Sequence, residues 1–229
     1  MLSPASQAGR AHRPKRTLAT TIAPILGRRS FGMTLEIVQT GDPVLRKVAT
    51  LMSVDEIRSA STKHLIEQMR DTMRAAPGVG LAAPQIGESI QLAVIEDRID
   101  YTKDISSEQL AERQRSPLDF HVIINPKLSI VGETTVDFFE GCLSVAGFAA
   151  VIRRGASVRV ECLNERAEPI TITAQGWYAR ILQHEIDHLN GTLYIDRMQT
   201  RSFTTTENVD RFWKSRTIEQ VRKDLGIDN

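Results

Sequence analysis

Two histidines and a glutamate on one predicted helix constrain this chain more than any other feature. Residues 177–189 follow helical periodicity, and Gly191 ends the segment. His184 and His188 are four residues apart, so on a helix they project from one face and can bind one metal ion. Glu185 lies about 100° around the helix from His184, beside the metal face without having to be a ligand. The pattern predicts a metal site next to a base and indicates a metallohydrolase.

The third metal ligand decides the class of metallohydrolase, and the helix motif alone does not define it. One class of zinc endopeptidases has a third histidine three residues after the glycine, where this chain has Tyr194. Another class uses a downstream glutamate. Glu207 is in range, but it lies in a segment without helical pattern. Neither class fits this sequence well.

A cysteine beside a glycine offers a better third ligand. Cys142 follows Gly141 in a segment expected to be a loop, and glycine permits close approach of the backbone. A thiolate beside a divalent cation is stabilised, and one cysteine with two histidines leaves the open coordination position that a catalytic site needs. The other cysteine, Cys162, lies on the inward face of a predicted strand and is expected in the core.

The segment from Gly78 to Gly87 is rich in glycine and small apolar residues. It has neither the Lys-Ser/Thr ending of a P-loop nor the spacing of a dinucleotide fingerprint. A strand of small residues with exposed amides would instead pair with an extended peptide. Gln85, near its end, offers an amide donor.

Helices and strands are expected in clusters rather than in regular alternation, which favours an α+β fold over a doubly wound sheet. Ser53 and Glu56 form a capping box at the start of a helix over residues 54–75. Residues 97–118 are polar, lack periodicity and are expected to form a partly helical surface insert. The other expected elements are strands at 91–96, 120–125 and 192–196, a hairpin of strands at 156–163 and 170–173, and a C-terminal helix with Ile218, Val221 and Leu225.

Taken in chain order, the three chemical segments resemble the signature motifs of the peptide deformylases. They read Gly-Val-Gly-Leu-Ala-Ala-Pro-Gln-Ile-Gly, Glu-Gly-Cys-Leu-Ser and Gln-His-Glu-x-Asp-His-Leu, and the resemblance covers about residues 36–200. The Ser-Val-Ala-Gly-Phe run at 144–148 is similar to the organellar eukaryotic branch, whereas bacterial members commonly have Ile-Pro-Glu there. The resemblance implies a compact α+β domain with antiparallel strands packed around the helix that bears the histidines.

This resemblance also implies an activity and a cofactor. The expected enzyme removes the N-formyl group from the formyl-methionine of newly synthesised polypeptides and releases formate. Cys142, His184 and His188 would hold one divalent metal ion, with Fe²⁺ favoured, Zn²⁺ next, and Co²⁺ and Ni²⁺ also compatible with the ligands. The expected partners are nascent formyl-methionyl chains at an organellar ribosome, without direct contact to nucleic acid.

Roles for the catalytic residues follow from the same resemblance. Glu185 would take a proton from water and deliver one to the leaving nitrogen. The side-chain amide of Gln85 and the backbone N–H of Leu143 would stabilise the oxyanion. Gly80 and the neighbouring Val79 would hold the peptide.

Three helix residues flank the catalytic motif. Ile181 is a candidate for the apolar pocket that takes the methionine side chain. Arg180 is expected to pair with an internal acid such as Glu140, with the peptide as the alternative. Asp187 is expected to be a structural partner rather than a base.

Two other function classes remain open at this stage. The first is another metal-dependent amidase or peptidase with the same helix motif, which would cut bonds other than the formyl amide. The second is a metal-stabilised binding protein associated with the ribosome. Such a protein needs neither Glu185 nor Gln85, yet the sequence contains both.

The N-terminal 35 residues differ from the rest of the chain in charge. They contain six Lys and Arg residues and no acid, which leaves 23 bases against 28 acids, a net −5, for the remainder. This composition is typical of an organellar transit peptide and fits a mitochondrial one best, with the plastid as a second destination. Residues 1–33 are therefore expected to direct the chain to mitochondria, and residues 34–229 are expected to form the catalytic domain. A basic tail touching RNA is the alternative, and a start at Met33 would yield a cytosolic form. No apolar run approaches about 18 residues, so no membrane insertion is expected.

Overall fold

Two antiparallel sheets and a central helix organise the chain in this computed structural model, which describes residues 34–227. The larger sheet has the order β1-β2-β3-β6-β7 and the smaller one β4-β5-β8. This arrangement confirms the expected α+β class. The strands are β1 (Gly80–Ala82), β2 (Leu92–Asp97), β3 (Leu118–Ile130), β4 (Thr135–Cys142), β5 (Val145–Gly155), β6 (Ser157–Leu163), β7 (Pro169–Gln175) and β8 (Thr204–Thr205).

Six α-helices accompany the sheets in the described residues. They are α1 (Val54–Arg58), α2 (Ala60–Ala75), α3 (Ser107–Glu112), α4 (Gly176–Leu189), α5 (Thr206–Asn208) and α6 (Ile218–Leu225). The expected surface insert at 97–118 contains α3 and a short 3-10 helix, and the expected C-terminal helix is α6. Both predictions are confirmed.

The prediction of a single helix over residues 54–75 is wrong in one respect, because the helix is interrupted at Ser59. The capping box of Ser53 and Glu56 starts α1 as expected. Ser59 then adopts an extended backbone with ψ 153°, and its hydroxyl accepts a hydrogen bond from the Thr62 N–H. A serine that caps the next turn in this way competes with continuation of the preceding helix.

Alternating side chains in β6 explain how the larger sheet meets α4. Val158, Val160 and Cys162 are buried, whereas Arg159 and Glu161 are exposed. The β6–β7 hairpin is confirmed, and its buried face packs against the apolar side of α4. This contact positions α4 against the larger sheet through Ala179, Leu182 and Ile186.

A strand expected at 192–196 is wrong, since this segment contains a 3-10 helix at Tyr194–Asp196. The Leu193 N–H donates to the Asp196 carboxylate at 2.8 Å, which stabilises the tight turn locally. Leu193 and Tyr194 are buried against the smaller sheet without pairing to it in the described residues. The apolar residues in this segment therefore indicate burial and not a strand.

The C-terminal segment covers the smaller sheet. Val221 and Ile227 are buried against Val151 of β5, with Phe139 and Trp213 beside them. None of the helices between residues 34 and 227 is both long and apolar enough to span a membrane.

Gly191 provides a test of how the end of α4 is held. Its φ is +72°, and a Cβ there would lie 2.7 Å from the Arg46 carbonyl oxygen. We expect Gly191→Ala to lose about 1–3 kcal/mol of unfolding free energy more than Gly132→Ala, because only the former adds a steric clash. Gly132 is the matched control, since its φ is +75° and no atom lies within 4 Å of the added carbon. Urea unfolding measures both, and equal losses would contradict the packing argument.

Candidate active site

Three potential metal ligands meet where β4 ends against α4. The ligand atoms of Cys142, His184 and His188 all lie within 4.8 Å of one another. Cys142 Sγ is 3.2 Å from His188 Nε2, and sulfur and nitrogen ligands of one tetrahedral ion lie about 3.5 Å apart. The residues present therefore fit a single divalent ion. Cys142, expected in a loop, is the last residue of β4, at an irregularity in its pairing with β5.

Glu140, two residues before the cysteine, orients the first histidine. Its carboxylate accepts a hydrogen bond from His184 Nδ1 at 2.9 Å. The same carboxylate accepts two hydrogen bonds from Arg154, both at 2.9 Å, and one from Arg180 at 2.7 Å. Such a carboxylate fixes the ring orientation and leaves Nε2 of the histidine for a metal.

The charges of this group follow from burial and hydrogen bonding. Burial alone would raise the pKa of Glu140, but hydrogen bonds from His184 and Arg154 outweigh it and hold this pKa far below its ordinary value. Burial lowers the pKa of His184, yet hydrogen bonds with Cys142 and Glu140 raise it well above normal. Burial lowers the pKa of His188 well below normal, so this imidazole is neutral. A bound metal ion would displace the proton that His184 carries, because a ligating imidazole must be neutral.

Arg180 and Asp187 have the structural roles expected of them. Arg180 pairs with Glu140 and also donates to the carbonyl oxygens of Val136 and Ile152. Asp187 accepts hydrogen bonds from Arg154 and, through both carboxylate oxygens, from Arg197 at 2.8 Å. The internal pairing of Arg180 is confirmed.

Glu185 lies against the backbone of β1. A Cβ on Gly80 would overlap its carboxylate, so only glycine leaves room for the acid. The Glu185 residue is 4% exposed, and its Oε2 has no hydrogen-bond partner among the residues described. Burial raises the pKa of Glu185 to about 7. A carboxyl group whose pKa is raised towards neutrality is suited to both accepting and donating a proton.

Gln85 is held so that its amide donor faces the cysteine. Its Oε1 accepts a hydrogen bond from the Ala82 N–H at 2.9 Å. Its Nε2 lies 3.5 Å from Cys142 Sγ and 3.3 Å from Ser144 Oγ. The fixed carbonyl end therefore directs the NH₂ group towards the metal ligands.

A cavity of about 490 Å³ joins these parts. The predicted substrate-binding residues Val79, Gly80 and Ile181 line it, together with Leu143 and Glu185. Glu207, the alternative ligand, lies in α5 and is not part of the metal cluster found in the described residues. Cys162 is in the core, as expected.

Comparison with known proteins decides the family. The profile of the polypeptide deformylase family matches residues 34–203. The chain belongs to the peptide deformylase family. This deformylase is 46% identical to the chloroplastic peptide deformylase 1A of Solanum lycopersicum over 81% of this chain and 67% of that protein. It is 39% identical to the mitochondrial peptide deformylase of Homo sapiens over 73% and 69% of the two chains.

Solved structures agree with this assignment. A class I type b peptide deformylase from Acinetobacter baumannii, bound to Met-Ala-Ser, matches with a TM-score of 0.65 and 29% identity, over 73% of this chain and 99% of that one. A Synechococcus elongatus peptide deformylase in complex with actinonin matches with a TM-score of 0.61 and 35% identity, over 73% and 82% of the two chains. The deformylase described here is a metalloenzyme that removes the N-formyl group from nascent polypeptides.

Sequence reasoning missed two supports of this deformylase site. Ser144 is fully buried and contacts the Gln85 amide, and Arg154 is 4% exposed and pairs with Glu140. Strand alternation places Arg154 on the same face as the apolar residues Ala150 and Ile152. This was the available signal, because a buried cation needs a carboxylate. No local pattern identified Ser144.

Replacing the Glu140 carboxylate tests its contribution to metal affinity. We expect Glu140→Gln to weaken metal affinity about 10- to 100-fold, since the amide no longer offers a charged acceptor to His184 and two arginines. Asp187→Asn is the matched control, because Asp187 contacts Arg154 but not His184. Competition with a metal chelator measures both affinities. Equal weakening by the two substitutions would show that the arginine pairing, not the contact with His184, is responsible.

Proposed function

We propose that Glu185 is the general acid–base of the deformylation reaction. The observation that supports this role is its position: the carboxylate is buried against Gly80 of β1, on the same helix as the two histidine ligands and at the wall of the cavity. A base must lie within reach of both the attacking water and the substrate amide. Glu185 lies between the metal ligands and the strand expected to bind the peptide.

We propose Cys142, His184 and His188 as the ligands of one divalent ion. When bound, the ion supplies Lewis-acid polarisation of the formyl oxygen and increases the acidity of water. One thiolate and two imidazoles are compatible with Fe²⁺, Zn²⁺, Co²⁺ and Ni²⁺. Family resemblance favours Fe²⁺, followed by Zn²⁺.

The proton transfers then involve this chain's own groups. Glu185 accepts a proton from water as the oxygen adds to the formyl carbon. It delivers a proton to the amide nitrogen as the carbon–nitrogen bond breaks, and formate and a free amino terminus leave. Gln85 Nε2 and the Leu143 N–H donate hydrogen bonds to the oxyanion, each contributing about 2.7–4 kcal/mol of transition-state stabilisation.

The peptide is proposed to pair with the free edge of β1. This strand is at the end of the larger sheet, and Gly80 and Val79 line the cavity there. Val79 and Ile181 would contact the methionine side chain. Met-Ala-Ser bound to the Acinetobacter baumannii enzyme is a ligand of the class expected here.

We propose that the enzyme acts on nascent chains at a mitochondrial ribosome, with a plastid as the second destination. Relatives include chloroplastic and mitochondrial proteins, and the six bases without acids in the first 35 residues support import. On this proposal, residues 1–33, which lie outside the described part of the chain, are the transit peptide. Residues 34–229 are the catalytic domain.

Glu185→Gln tests the acid–base assignment. We expect formate release from formyl-Met-Ala-Ser to fall at least 10²- to 10⁴-fold, roughly the contribution of general acid–base catalysis. Bound metal is expected to remain stoichiometric, because the amide keeps the shape of the helix and both ligands. Enzyme purified anaerobically serves both measurements, and the same metal analysis identifies the ion. Near-normal turnover with full metal would exclude Glu185 as the base.

The import proposal is tested with residues 1–35 fused to a fluorescent protein in eukaryotic cells. Mitochondrial fluorescence is expected, since a basic segment without acids is drawn through the membrane by its charge. A fusion in which Arg10, Arg13, Lys15 and Arg16 are replaced by Gln is the control and should stay in the cytosol. Diffuse fluorescence from the unaltered fusion would contradict import and favour Met33 as the start.

A further inference from the structure

Arg115 is a cavity residue that the proposed reaction does not use. It lies just before β3, and it lines the cavity together with Trp177 at the start of α4. Its Nε and Nη2 donate to the Asp97 carboxylate at 2.8 and 2.9 Å. The side chains of Arg115 and Asp97 are only 8% and 0% exposed. The guanidinium carbon is 5.2 Å from the centre of the Trp177 ring. The arginine is therefore fixed in place.

The rise of α4 locates this guanidinium along the cavity. Ile181 and Trp177 precede Glu185 by four and eight residues, so they lie about 6 and 12 Å from it along the helix axis. All three line the cavity. Arg115, which lies over the Trp177 ring, is accordingly near the level of Trp177, about two helical turns from the acid–base along the axis of α4.

The wall of the cavity opposite α4, formed by Val79, also lies close to the Asp97–Arg115 pair. The Val79 carbonyl oxygen accepts a hydrogen bond from the Glu96 N–H, so Asp97 follows directly beside the start of β1. Val79 also packs against the core cluster that contains α4. Val79, on this wall of the cavity, is therefore close to Asp97, the partner of Arg115.

The formyl-methionine residue of the substrate is long enough to extend from Glu185 towards Trp177 and Arg115. An extended formyl-methionine measures roughly 8 Å from its formyl carbon to its terminal methyl group. A side chain of this length that runs along α4 from a formyl group beside Glu185 places its sulfur and terminal methyl between the levels of Ile181 and Trp177. The group at the end of the side chain then approaches Arg115.

Arg115 offers hydrogen bonds in this position. A guanidinium has five N–H donors, and the Asp97 carboxylate takes two of them. Arg115 Nη1 donates to no other residue between positions 34 and 227. A thioether sulfur is a weak acceptor, whereas the oxygen of methionine sulfoxide is a strong one.

We propose that Arg115 determines specificity at the end of the methionine cavity and that this deformylase also hydrolyses peptides that begin with N-formyl-methionine sulfoxide. The inference rests on the binding mode proposed above. The bond that breaks is the same formyl amide, water is the co-substrate, and formate leaves. The sulfoxide is not oxidised or reduced, since it serves only as an acceptor for Arg115.

The experiment compares three peptides, formyl-Met-Ala-Ser and its counterparts with norleucine or methionine sulfoxide at the first position. Norleucine has the length of methionine without an acceptor. The measured quantity is the ratio of kcat/KM for the sulfoxide peptide to that for the norleucine peptide. In Arg115→Met this ratio is expected to fall about 10- to 100-fold, the value of a hydrogen bond to a charged group. A purely structural loss would lower both values equally and leave the ratio unchanged.

Arg115→Met leaves the Asp97 carboxylate buried without its partner, which destabilises the fold. The double variant Asp97→Asn/Arg115→Met removes both charges and keeps the test available if the single variant does not fold. Arg159→Met is the matched control, because Arg159 lies on the exposed face of β6, outside the cavity, and pairs with Glu161. Its ratio should equal that of the unaltered enzyme.

Two outcomes overturn the inference. One is a sulfoxide-to-norleucine ratio that is the same in the unaltered enzyme and the folded Arg115 variants. The other is an unaltered enzyme that deformylates formyl-Met-Ala-Ser but not the sulfoxide peptide. Absence of formate release from formyl-Met-Ala-Ser would instead contradict the proposed site, so the two failures are distinguishable.

Discussion

The Glu140 carboxylate is the interaction on which the rest of this structure depends. It connects β4 to β5 through Arg154 and to α4 through Arg180 and His184. Removing such an acid from a buried site leaves the cations without compensation, at a cost of several kcal/mol. The same contact orients a proposed metal ligand, so the stability of the fold and the geometry of the site are coupled through one side chain.

The two buried acids at this site, Glu140 and Glu185, differ in pKa because their surroundings differ. Glu140 has cationic and imidazole partners that keep it ionised, whereas burial without a hydrogen-bond partner at Oε2 raises the pKa of Glu185. Environments that separate two carboxyl pKa values in this way assign them to different tasks. The ionised acid is suited to holding a histidine, and the other to exchanging protons.

Local patterns predicted much of this molecule, and long-range contacts explain what they missed. The spacing of His184 and His188 placed both on α4, because helical periodicity is local. The break at Ser59 was missed because its hydroxyl caps the next helix in place of helix continuation. The spacing of apolar residues does not reveal this competition. Arg154 meets an acid 14 residues earlier and another 33 residues later. Only the folded arrangement of β4, β5 and α4 selects such partners.

The short edge strand β1 has a consequence for timing. It is three residues long and is followed at once by a 3-10 helix that contains Pro84. In the proposed binding mode, the substrate must present an extended backbone to this edge, because strand pairing uses main-chain groups. An N-terminus already wound into a helix is not extended, and its carbonyl oxygens accept hydrogen bonds within the helix. Removal of the formyl group would therefore compete with folding of the nascent chain and precede burial of its first residues.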